Sequence, residues 1–327
     1  MPIQRRTFLA TSLALLASAQ SRAADQPNPP APYQGTPPWP AKETFPLWPG
    51  RAPGQRETLP KPHWVMEGPA NGRELHIDGV DKPEIHVYRA RRPTGQGLVV
   101  LPGGSYRILS VQNEGLDAAR TFNRMGITVF ILTYRLPNEG WDDQANVPLQ
   151  DGQRAMRLIR ARAKEFGIDP LRLAVLGFSA GGHAAATLTT CFDEAVYAPV
   201  DEADRQSARP AFSCLMYPVI DMRAPLAHLE SRANLLGPDP SDAMLDARSP
   251  NHRVTADTPP CFLVHALDDG AVPYGNSVTM IEALRARNIP CELHLFEKGG
   301  HGFGLHLPKD FPGSHWPELF HRWTTSR

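Results

Sequence analysis

The chain has 327 residues, of which 41% are hydrophobic and 21% are charged. This composition is that of a globular protein long enough to bury one large core, and it excludes a disordered or fibrous chain. Lysine plus arginine and aspartate plus glutamate each total 34, so the formal net charge is zero. That balance gives no global attraction to nucleic acid or to an anionic membrane.

The first residues have the layout of an export signal. In QRRTFLATSLALLASAQSRAAD, the pair Arg5-Arg6 precedes an apolar run at residues 8–19, and small residues follow at 21–23. The run is short for a membrane span, which favours a cleaved signal peptide over an uncleaved anchor. Because RRTFL resembles the twin-arginine signal, we expect residues 1–23 to be a leader. The mature protein should then be periplasmic or secreted, with no membrane contact after cleavage.

A proline-rich arm is predicted at residues 24–62, which contain PNPPAPYQGTPPWP and FPLWPGRAPG. Proline has no N–H to donate, so we expect this segment to be disordered at its start, to favour an extended conformation and to build no sheet. Leu47 and Trp48 are the side chains expected to tie it onto the domain. A tether or surface wrap is favoured over a recognition ligand for another protein.

Residues 63–327 are predicted to form one α/β domain. Apolar runs typical of buried parallel strands occur at residues 84–90, 98–102, 128–135, 173–178, 212–220, 261–266 and 291–297. Helical spacing of apolar side chains occurs at 149–166, which Gly167 should end, and at 276–287. This alternation predicts a doubly wound, mostly parallel sheet with helices on both faces and right-handed crossovers.

Four widely spaced cysteines complete the composition: Cys191, Cys214, Cys261 and Cys291. Their spacing gives no zinc signature. Export would permit disulfides in three alternative pairings, but Cys214, Cys261 and Cys291 lie in or beside apolar runs. Buried thiols are therefore the expected state.

The stretch LAVLGFSAGG places one serine between glycines where a predicted strand turns into a helix. Residues 177–181 fit the pattern G-x-S-x-G. In a nucleophile elbow, the glycines let the strand and helix backbones approach, and the Ser179 hydroxyl projects from the C-terminal edge of the sheet. The helix N-terminus there favours developing negative charge. A glycine-flanked serine is also a common helix N-cap, so the pattern needs partners.

Ser179 becomes a nucleophile only if a base takes its proton and an acid orients that base. The acid candidates are Asp268 and Asp269 in HALDDGAVP, which follows the strand at 261–266. The base candidate is His301 in the loop FEKGGHGFG, after the next strand; its rival role is to cap a backbone carbonyl. Successive parallel strands end on one edge of the sheet, so the order serine, aspartate, histidine should converge there.

Acyl transfer also needs donors for an oxyanion, and VLPGGSY follows an early strand where such a loop is expected. One donor is the N–H of Ala180, which follows the nucleophile. We expect the N–H of Gly104 to be the second and that of Ser105 to be a third. A simple tight turn is the alternative interpretation of this segment.

Together these blocks resemble the α/β-hydrolase carbohydrate esterases, in particular the acetyl xylan esterase and feruloyl esterase-like group related to bacterial acetyl esterases. The blocks are PLWPGRAPG, LPGGSY, NEG, YRLP, GFSAGGH, VDEADRQSARPAFSCLMYPVID, SPNHRVTADTPPCFLVHALDDGAVPYGNS and ELHLFEKGGHGFGL, which lie within residues 46–305. Two positions depart from the group's pattern. Ser105 stands where a third glycine is usual, and no glycine follows His265.

The resemblance implies a triad of Ser179, Asp269 and His301, with Asp269 chosen over Asp268 because it begins the D-x-x-V-P run. It implies two-step hydrolysis of an acylated carbohydrate or a small ester, with no metal and no organic cofactor. The first alternative is a serine peptidase of the prolyl-oligopeptidase type, which a missing upstream propeller weakens. The second is a non-enzymatic binding protein, which would leave a complete triad unused.

Some further polar residues have two interpretations. Glu114 and Asn276 match positions of the group's pattern but are equally well explained as helix caps. Tyr106 is a candidate for lining the substrate site or for ordinary packing. His183 is expected to be a structural hydrogen-bonding residue.

Overall fold

The computed structural model describes residues 38–67 and 74–326. The predicted leader and the first part of the proline-rich arm lie outside the described residues. The strands are β1 (Glu43–Pro46), β2 (His63–Glu67), β3 (Glu74–Asp78), β4 (Glu84–Tyr88), β5 (Gly97–Leu101), β6 (Leu109–Ser110), β7 (Thr128–Thr133), β8 (Leu173–Phe178), β9 (Ser213–Met216), β10 (Cys261–Ala266) and β11 (Cys291–Phe296). The helices are α1 (Asp117–Arg124), α2 (Val147–Ala161), α3 (Ala163–Phe166), α4 (Ser179–Thr190), α5 (Leu229–Leu236), α6 (Asp242–Ala247), α7 (Gly275–Ala286) and α8 (Trp316–Thr325).

The apolar runs of the sequence form one large sheet with the order β1-β4-β7-β5-β8-β9-β10-β11. The strands from β7 to β11 in this order pair in parallel, whereas β4 pairs antiparallel with both β1 and β7. Every residue of β5, β7, β8, β9 and β10 is buried, which requires that both faces of the sheet be covered. The prediction of a doubly wound, mostly parallel sheet is confirmed.

Several predicted elements have different ends in the structure. The run at residues 212–220 forms only β9, because Tyr217 adopts a φ of 35° and Pro218 has no N–H to pair. The predicted helix at 149–166 is divided into α2 and α3 at Arg162. Gly167 ends α3 in the left-handed conformation, with φ 65°, as predicted.

The proline-rich arm contributes to the sheet, so the prediction that it builds none is wrong at β1. Glu43 pairs with Val87 and Pro46 pairs with Glu84, which places β1 at the sheet edge. An edge strand needs only one row of hydrogen bonds, and its single proline is its last residue. The predicted anchors are confirmed, since Leu47 is 0% exposed and Trp48 is 5% exposed.

A second sheet of three strands, in the order β2-β3-β6, has no counterpart among the predictions. Its last strand directly follows the glycine loop after β5.

The cysteines form no disulfide, and all four lie in the described part of the chain. Cys214 and Cys261 are buried as expected, and Cys291 is half-buried. Across residues 38–67 and 74–326, no helix is long and apolar enough to cross a membrane.

The arm is held to the domain by a buried carboxylate. Asp151 accepts hydrogen bonds from the indole N–H of Trp48 at 2.9 Å and from the backbone N–H of Arg135 at 2.9 Å. The guanidinium of Arg135 also contacts it, at 2.8 Å, and both charged side chains are fully buried. One side chain therefore joins the arm, the end of β7 and α2.

Asp151→Ala is expected to lower the free energy of unfolding by about 3–5 kcal/mol, because it leaves the buried Arg135 guanidinium uncompensated. The measurement is urea denaturation of the purified protein. Asp142→Ala is the matched control, because Asp142 pairs with Arg56 at the surface, where both side chains are more than half exposed. That change should cost less than about 1 kcal/mol. Equal losses in the two variants would contradict the assignment.

Candidate active site

The turn between β8 and α4 has the geometry of a nucleophile elbow. Ser179, the first residue of α4, adopts a φ of 51°, which is strained for a residue with a side chain. A Cβ on Gly177 would lie 2.2 Å from the Gly181 carbonyl oxygen, and one on Gly181 would lie 2.2 Å from that of Leu101. Only glycine fits these two positions, so the flanking glycines are required by the close approach of strand and helix.

The structure brings the three predicted triad residues together. The Ser179 Oγ lies 2.8 Å from Nε2 of His301, and Nδ1 of His301 lies 2.7 Å from Oδ2 of Asp269. A carboxylate only accepts, so Nδ1 carries a proton and Nε2 is left to accept the serine hydroxyl proton. This tautomer makes His301 a base toward Ser179.

Asp269 is the carboxylate at the site, and Asp268 is not. The Asp269 side chain is fully buried, and its Oδ1 accepts the backbone N–H groups of Ala271 and Val272, both at 2.9 Å. Asp268 is exposed and accepts the N–H of Gly300 at 2.8 Å. Burial raises the pKa of Asp269, but hydrogen bonds from His265 and His301 outweigh burial and hold that pKa below its ordinary value. Asp269 is therefore ionised at neutral pH.

His265 is a second histidine on the same carboxylate, and no role for it was predicted from the sequence. Its Nε2 lies 3.1 Å from Oδ2 of Asp269, and its Nδ1 lies 2.8 Å from Oγ of Ser277 in α7. The side chain is fully buried. His265 therefore holds the same carboxylate oxygen of Asp269 that His301 contacts. The only signal in the sequence was a histidine four residues before the aspartate, at the end of a strand.

The glycine loop after β5 lies against the nucleophile. A Cβ on Gly103 would lie 2.9 Å from Cβ of Ser179 and 2.6 Å from the carbonyl oxygen of Phe178. The N–H of Gly103 donates to Oε2 of Glu114 at 2.6 Å, so it is not available to an oxyanion. Gly104 follows with φ 126° and Ser105 with φ 57°.

The expected oxyanion donors lie around this loop and the elbow. The carbonyl of Ser105 is held by the side-chain amide of Asn234 in α5 at 2.8 Å, which supports a left-handed residue where glycine would be unstrained. The N–H groups of Gly104, Ser105 and Ala180 make no hydrogen bond with any other described residue. These three donors stay available to a ligand oxygen.

Gly103→Ala is expected to lower kcat for ester hydrolysis by about 10²-fold. This is the cost of losing one oxyanion donor, here the neighbouring N–H of Gly104, when the loop is displaced. The added methyl group would collide with Ser179 and with the Phe178 carbonyl, so the loop must move. Gly50→Ala is the control, because a Cβ on Gly50 has no heavy atom within 4 Å among the described residues. Its steady-state rate should equal that of the wild type. Wild-type activity in Gly103→Ala would show that this loop takes no part in the site.

Two further polar residues, Glu114 and Asn276, support the backbone around the site. Glu114 is not a helix cap, because it lies buried in a π-helical turn, Gln112–Leu116, and accepts the Gly103 N–H. Asn276, the second residue of α7, accepts the N–H groups of Ile220 and Asp221, so it secures the chain after β9. It is not a cap either.

His183 is a structural residue, as expected. It is 1% exposed, donates from Nε2 to the Arg248 carbonyl at 2.8 Å, and lies 2.7 Å from the Tyr106 hydroxyl at Nδ1. Burial lowers the pKa of His183 to about 4, so it stays neutral. Tyr106 is fully buried and belongs to the packed core. Within the described residues, no group of three metal-binding side chains is placed to hold a metal ion.

Residues 85–284 match the family model described as BD-FAE. The chain belongs to the BD-FAE family. It is 32% identical to an acetylxylan esterase of Xylanibacter ruminicola over 71% of this chain and 46% of that protein. The chain thus spans about half the length of that curated relative. The resemblance to carbohydrate esterases is confirmed.

Solved structures agree with this assignment. A crystal structure of an acetyl ester-xyloside bifunctional hydrolase from Caldicellulosiruptor lactoaceticus is 34% identical, with a TM-score of 0.71, and covers 88% of this chain and 97% of that one. A thermophilic esterase from Thermogutta terrifontis is 23% identical, with a TM-score of 0.61 over 75% of this chain and 89% of that one. The latter similarity concerns the fold. The predicted α/β-hydrolase fold is confirmed.

Proposed function

We propose that this BD-FAE protein is a serine carboxylic ester hydrolase that works through an acyl-serine intermediate. The observation that carries the proposal is the hydrogen-bonded chain from the Ser179 hydroxyl through His301 to Asp269, with distances of 2.8 and 2.7 Å. The N–H of Ala180, which follows the nucleophile, and those of Gly104 and Ser105, in the loop that packs against Ser179, make no other hydrogen bond among the described residues and can donate to an oxyanion. This combination of nucleophile, base, acid and oxyanion donors is the machinery of acyl transfer.

In acylation, the Ser179 oxygen attacks the ester carbonyl carbon while Nε2 of His301 takes the hydroxyl proton. The carbonyl oxygen becomes an oxyanion that the N–H groups of Gly104, Ser105 and Ala180 stabilise. Asp269 holds the ring in its tautomer and stabilises the imidazolium. The ester C–O bond then breaks, and His301 gives its proton to the departing alcohol oxygen.

In deacylation, a water molecule takes the place of the alcohol. His301 accepts a proton from this water, whose oxygen attacks the carbonyl carbon of the acyl-serine. When the second tetrahedral intermediate collapses, the Ser179 oxygen leaves and receives that proton, and the carboxylic acid is released. These steps draw on side chains and backbone N–H groups of this chain.

The proposed substrate is an acetylated, or feruloylated, sugar or xylan-type polysaccharide. The support is the name of the Xylanibacter relative, an acetylxylan esterase, and that of the Caldicellulosiruptor structure, an acetyl ester-xyloside hydrolase. Both names concern ester bonds, which favours this proposal over a peptidase of the prolyl-oligopeptidase type. A complete triad argues against a binding protein without activity.

The test is a panel of substrates given to the purified protein: p-nitrophenyl acetate, p-nitrophenyl butyrate, methyl ferulate, an aminoacyl anilide and acetylated xylan. Release of acetate from xylan and fast turnover of the acetyl ester are expected. Hydrolysis of the anilide alone would support the peptidase instead. No turnover of any member of the panel would overturn the proposed function.

The proposed location is the periplasm or the outside of the cell, reached through the twin-arginine signal. The support is the sequence of residues 1–23 alone. Replacing both Arg5 and Arg6 by lysine should retain the protein in the cytoplasm of its host. Cell fractionation followed by N-terminal sequencing would check this, and export of the double variant at the wild-type level would contradict it.

A further inference from the structure

We infer that Glu114 is a positioning residue for acyl transfer. Its carboxylate joins the glycine loop after β5 (residues 102–108), called the oxyanion loop below, to Tyr217, which packs against His301, and it stabilises the protonated imidazole. The inference rests on the proposed esterase function and concerns the same site. Glu114 is not a member of the triad, and it touches no reacting atom. It is a buried carboxyl group that the mechanism above does not use.

Hydrogen bonds connect Glu114 to two separate parts of the site. Its Oε2 accepts the N–H of Gly103 at 2.6 Å, and its Oε1 accepts the hydroxyl of Tyr217 at 2.9 Å. The hydroxyl of Tyr217 in turn accepts the N–H of Gly304, three residues after His301, at 2.9 Å. One carboxylate therefore links the oxyanion loop, the chain after β9 and the histidine loop.

Tyr217 connects Glu114 to the imidazole ring of His301. Its aromatic ring packs edge-on against the imidazole of His301, with 5.0 Å between centroids and 64° between planes. Its φ of 35° is strained for a tyrosine, so the surrounding contacts hold it in place. Burial raises the pKa of its hydroxyl well above the usual value, so the hydroxyl remains a donor to Glu114.

Glu114 is buried and lies close enough to His301 for their charges to interact. Burial raises the pKa of Glu114 to about 7, against the opposing effects of the Gly103 N–H, the Tyr217 hydroxyl and the attraction of His301. Glu74 raises that pKa further by repulsion. The other titratable groups around this pair are Tyr134, beside Glu114, and His228 and Asp269, beside His301.

The sign of the effect follows from these charges. Above about pH 7, Glu114 is ionised and attracts the imidazolium that forms when His301 takes the Ser179 proton. Below that pH, Glu114 is neutral and gives no such attraction. A glutamine at position 114 imitates the neutral form at every pH. The wild type should therefore exceed Glu114→Gln in rate only at the higher pH values.

The experiment measures kcat/KM for p-nitrophenyl acetate with the wild type and Glu114→Gln across this pH range. The ratio of wild type to variant should rise from near one at about pH 5.5 to about ten at about pH 8.5, as expected for the loss of one pKa unit of stabilisation. The loss should lie in kcat, with KM changed less than about twofold. A ratio that is constant with pH would reduce Glu114 to a structural role and overturn the inference.

Two further variants keep the inference testable if Glu114→Gln does not fold. Tyr217→Phe retains the ring against His301 but removes a donor to the carboxylate, so the pH midpoint attributed to Glu114 should move upward. Glu74→Gln removes a repelling charge without a bond to the oxyanion loop, so the same midpoint should move downward at an unchanged plateau rate. Movement of either midpoint in the opposite direction would overturn the inference.

A readout without turnover separates this inference from the proposed function. Carbon-13 NMR follows the titration of the Glu114 carboxyl group in the wild type and in His301→Ala. The midpoint of that titration should rise to higher pH in the variant, because the attraction of His301 lowers the pKa of Glu114 and is lost. If it rises while the wild type hydrolyses no ester, the coupling stands and the esterase proposal fails. If esters are hydrolysed and the midpoint does not move, the coupling is wrong.

Discussion

Ser179→Ala is expected to lower kcat for p-nitrophenyl acetate by about 10⁴–10⁶-fold, to the rate that binding and oxyanion stabilisation alone provide. In the proposed mechanism the hydroxyl oxygen forms the bond to the acyl group, and among the described residues it is the one group hydrogen-bonded to Nε2 of His301, at 2.8 Å. The fold should be unchanged, because the side chain is small and its elbow is set by the backbone. Steady-state rates and a thermal melt measure both quantities.

A covalent probe makes the same prediction independently of turnover. A fluorophosphonate should add one equivalent to the wild type, located on Ser179 by mass spectrometry, and none to Ser179→Ala. Ser314→Ala is the control, because the Ser314 hydroxyl donates to the Lys309 carbonyl at 3.3 Å, at the surface, and makes no other hydrogen bond with a described residue. It should keep wild-type rate and labelling. Equal labelling of wild type and Ser179→Ala would place the nucleophile elsewhere.

Asp269→Asn is expected to lower kcat by about 10³–10⁴-fold, because an amide can present N–H groups to Nδ1 of His301 and select the wrong tautomer. Oδ2 of Asp269 lies 2.7 Å from Nδ1 of His301 and 3.1 Å from Nε2 of His265, so both imidazoles lose a carboxylate acceptor, and His265 keeps the Val272 carbonyl at 3.0 Å. The side chain is fully buried, and the free energy of unfolding should fall by about 1–3 kcal/mol as well. Steady-state kinetics and urea denaturation give the two values.

Asp268→Asn is the matched control for this change, since it alters the neighbouring carboxylate in the same way. Asp268 is exposed, and its Oδ1 accepts the N–H of Gly300, which an asparagine oxygen can also accept. Its kcat should stay within about threefold of the wild type. If instead Asp268→Asn were the inactive variant, the choice between the two aspartates would be reversed.

The ordering of the triad could be predicted because it depends on local patterns and one rule of topology. G-x-S-x-G between a strand and a helix demands an elbow, since Gly177 and Gly181 have no room for a Cβ. Each of Asp269 and His301 follows a strand-like run. Because parallel strands end at one edge of their sheet, these separate positions had to meet there.

The choice of Asp269 over Asp268 rested on resemblance, and the structure gives its physical basis. Two backbone N–H groups, of Ala271 and Val272, turn the Asp269 carboxylate inward. Sequence alone does not give the direction of a side chain within a turn. The same limit applied to β1, whose short ETFP run among prolines was predicted to be extended but not to pair. An edge strand is decided by its neighbour, β4, and not by its own composition.

The amino-acid sequence by itself determined the parallel core of the large sheet, the elbow at Ser179 and the sheet edge at which its partners lie, because periodicity, glycine geometry and strand order are local or topological properties. Only the tertiary structure decided what supports them. Glu114 and Tyr217 are 103 residues apart, and no sequence motif of either residue predicts a contact with the other. Their contact, like that of His265 with Asp269, arises because burial forces polar groups to find partners wherever the packed chain offers them.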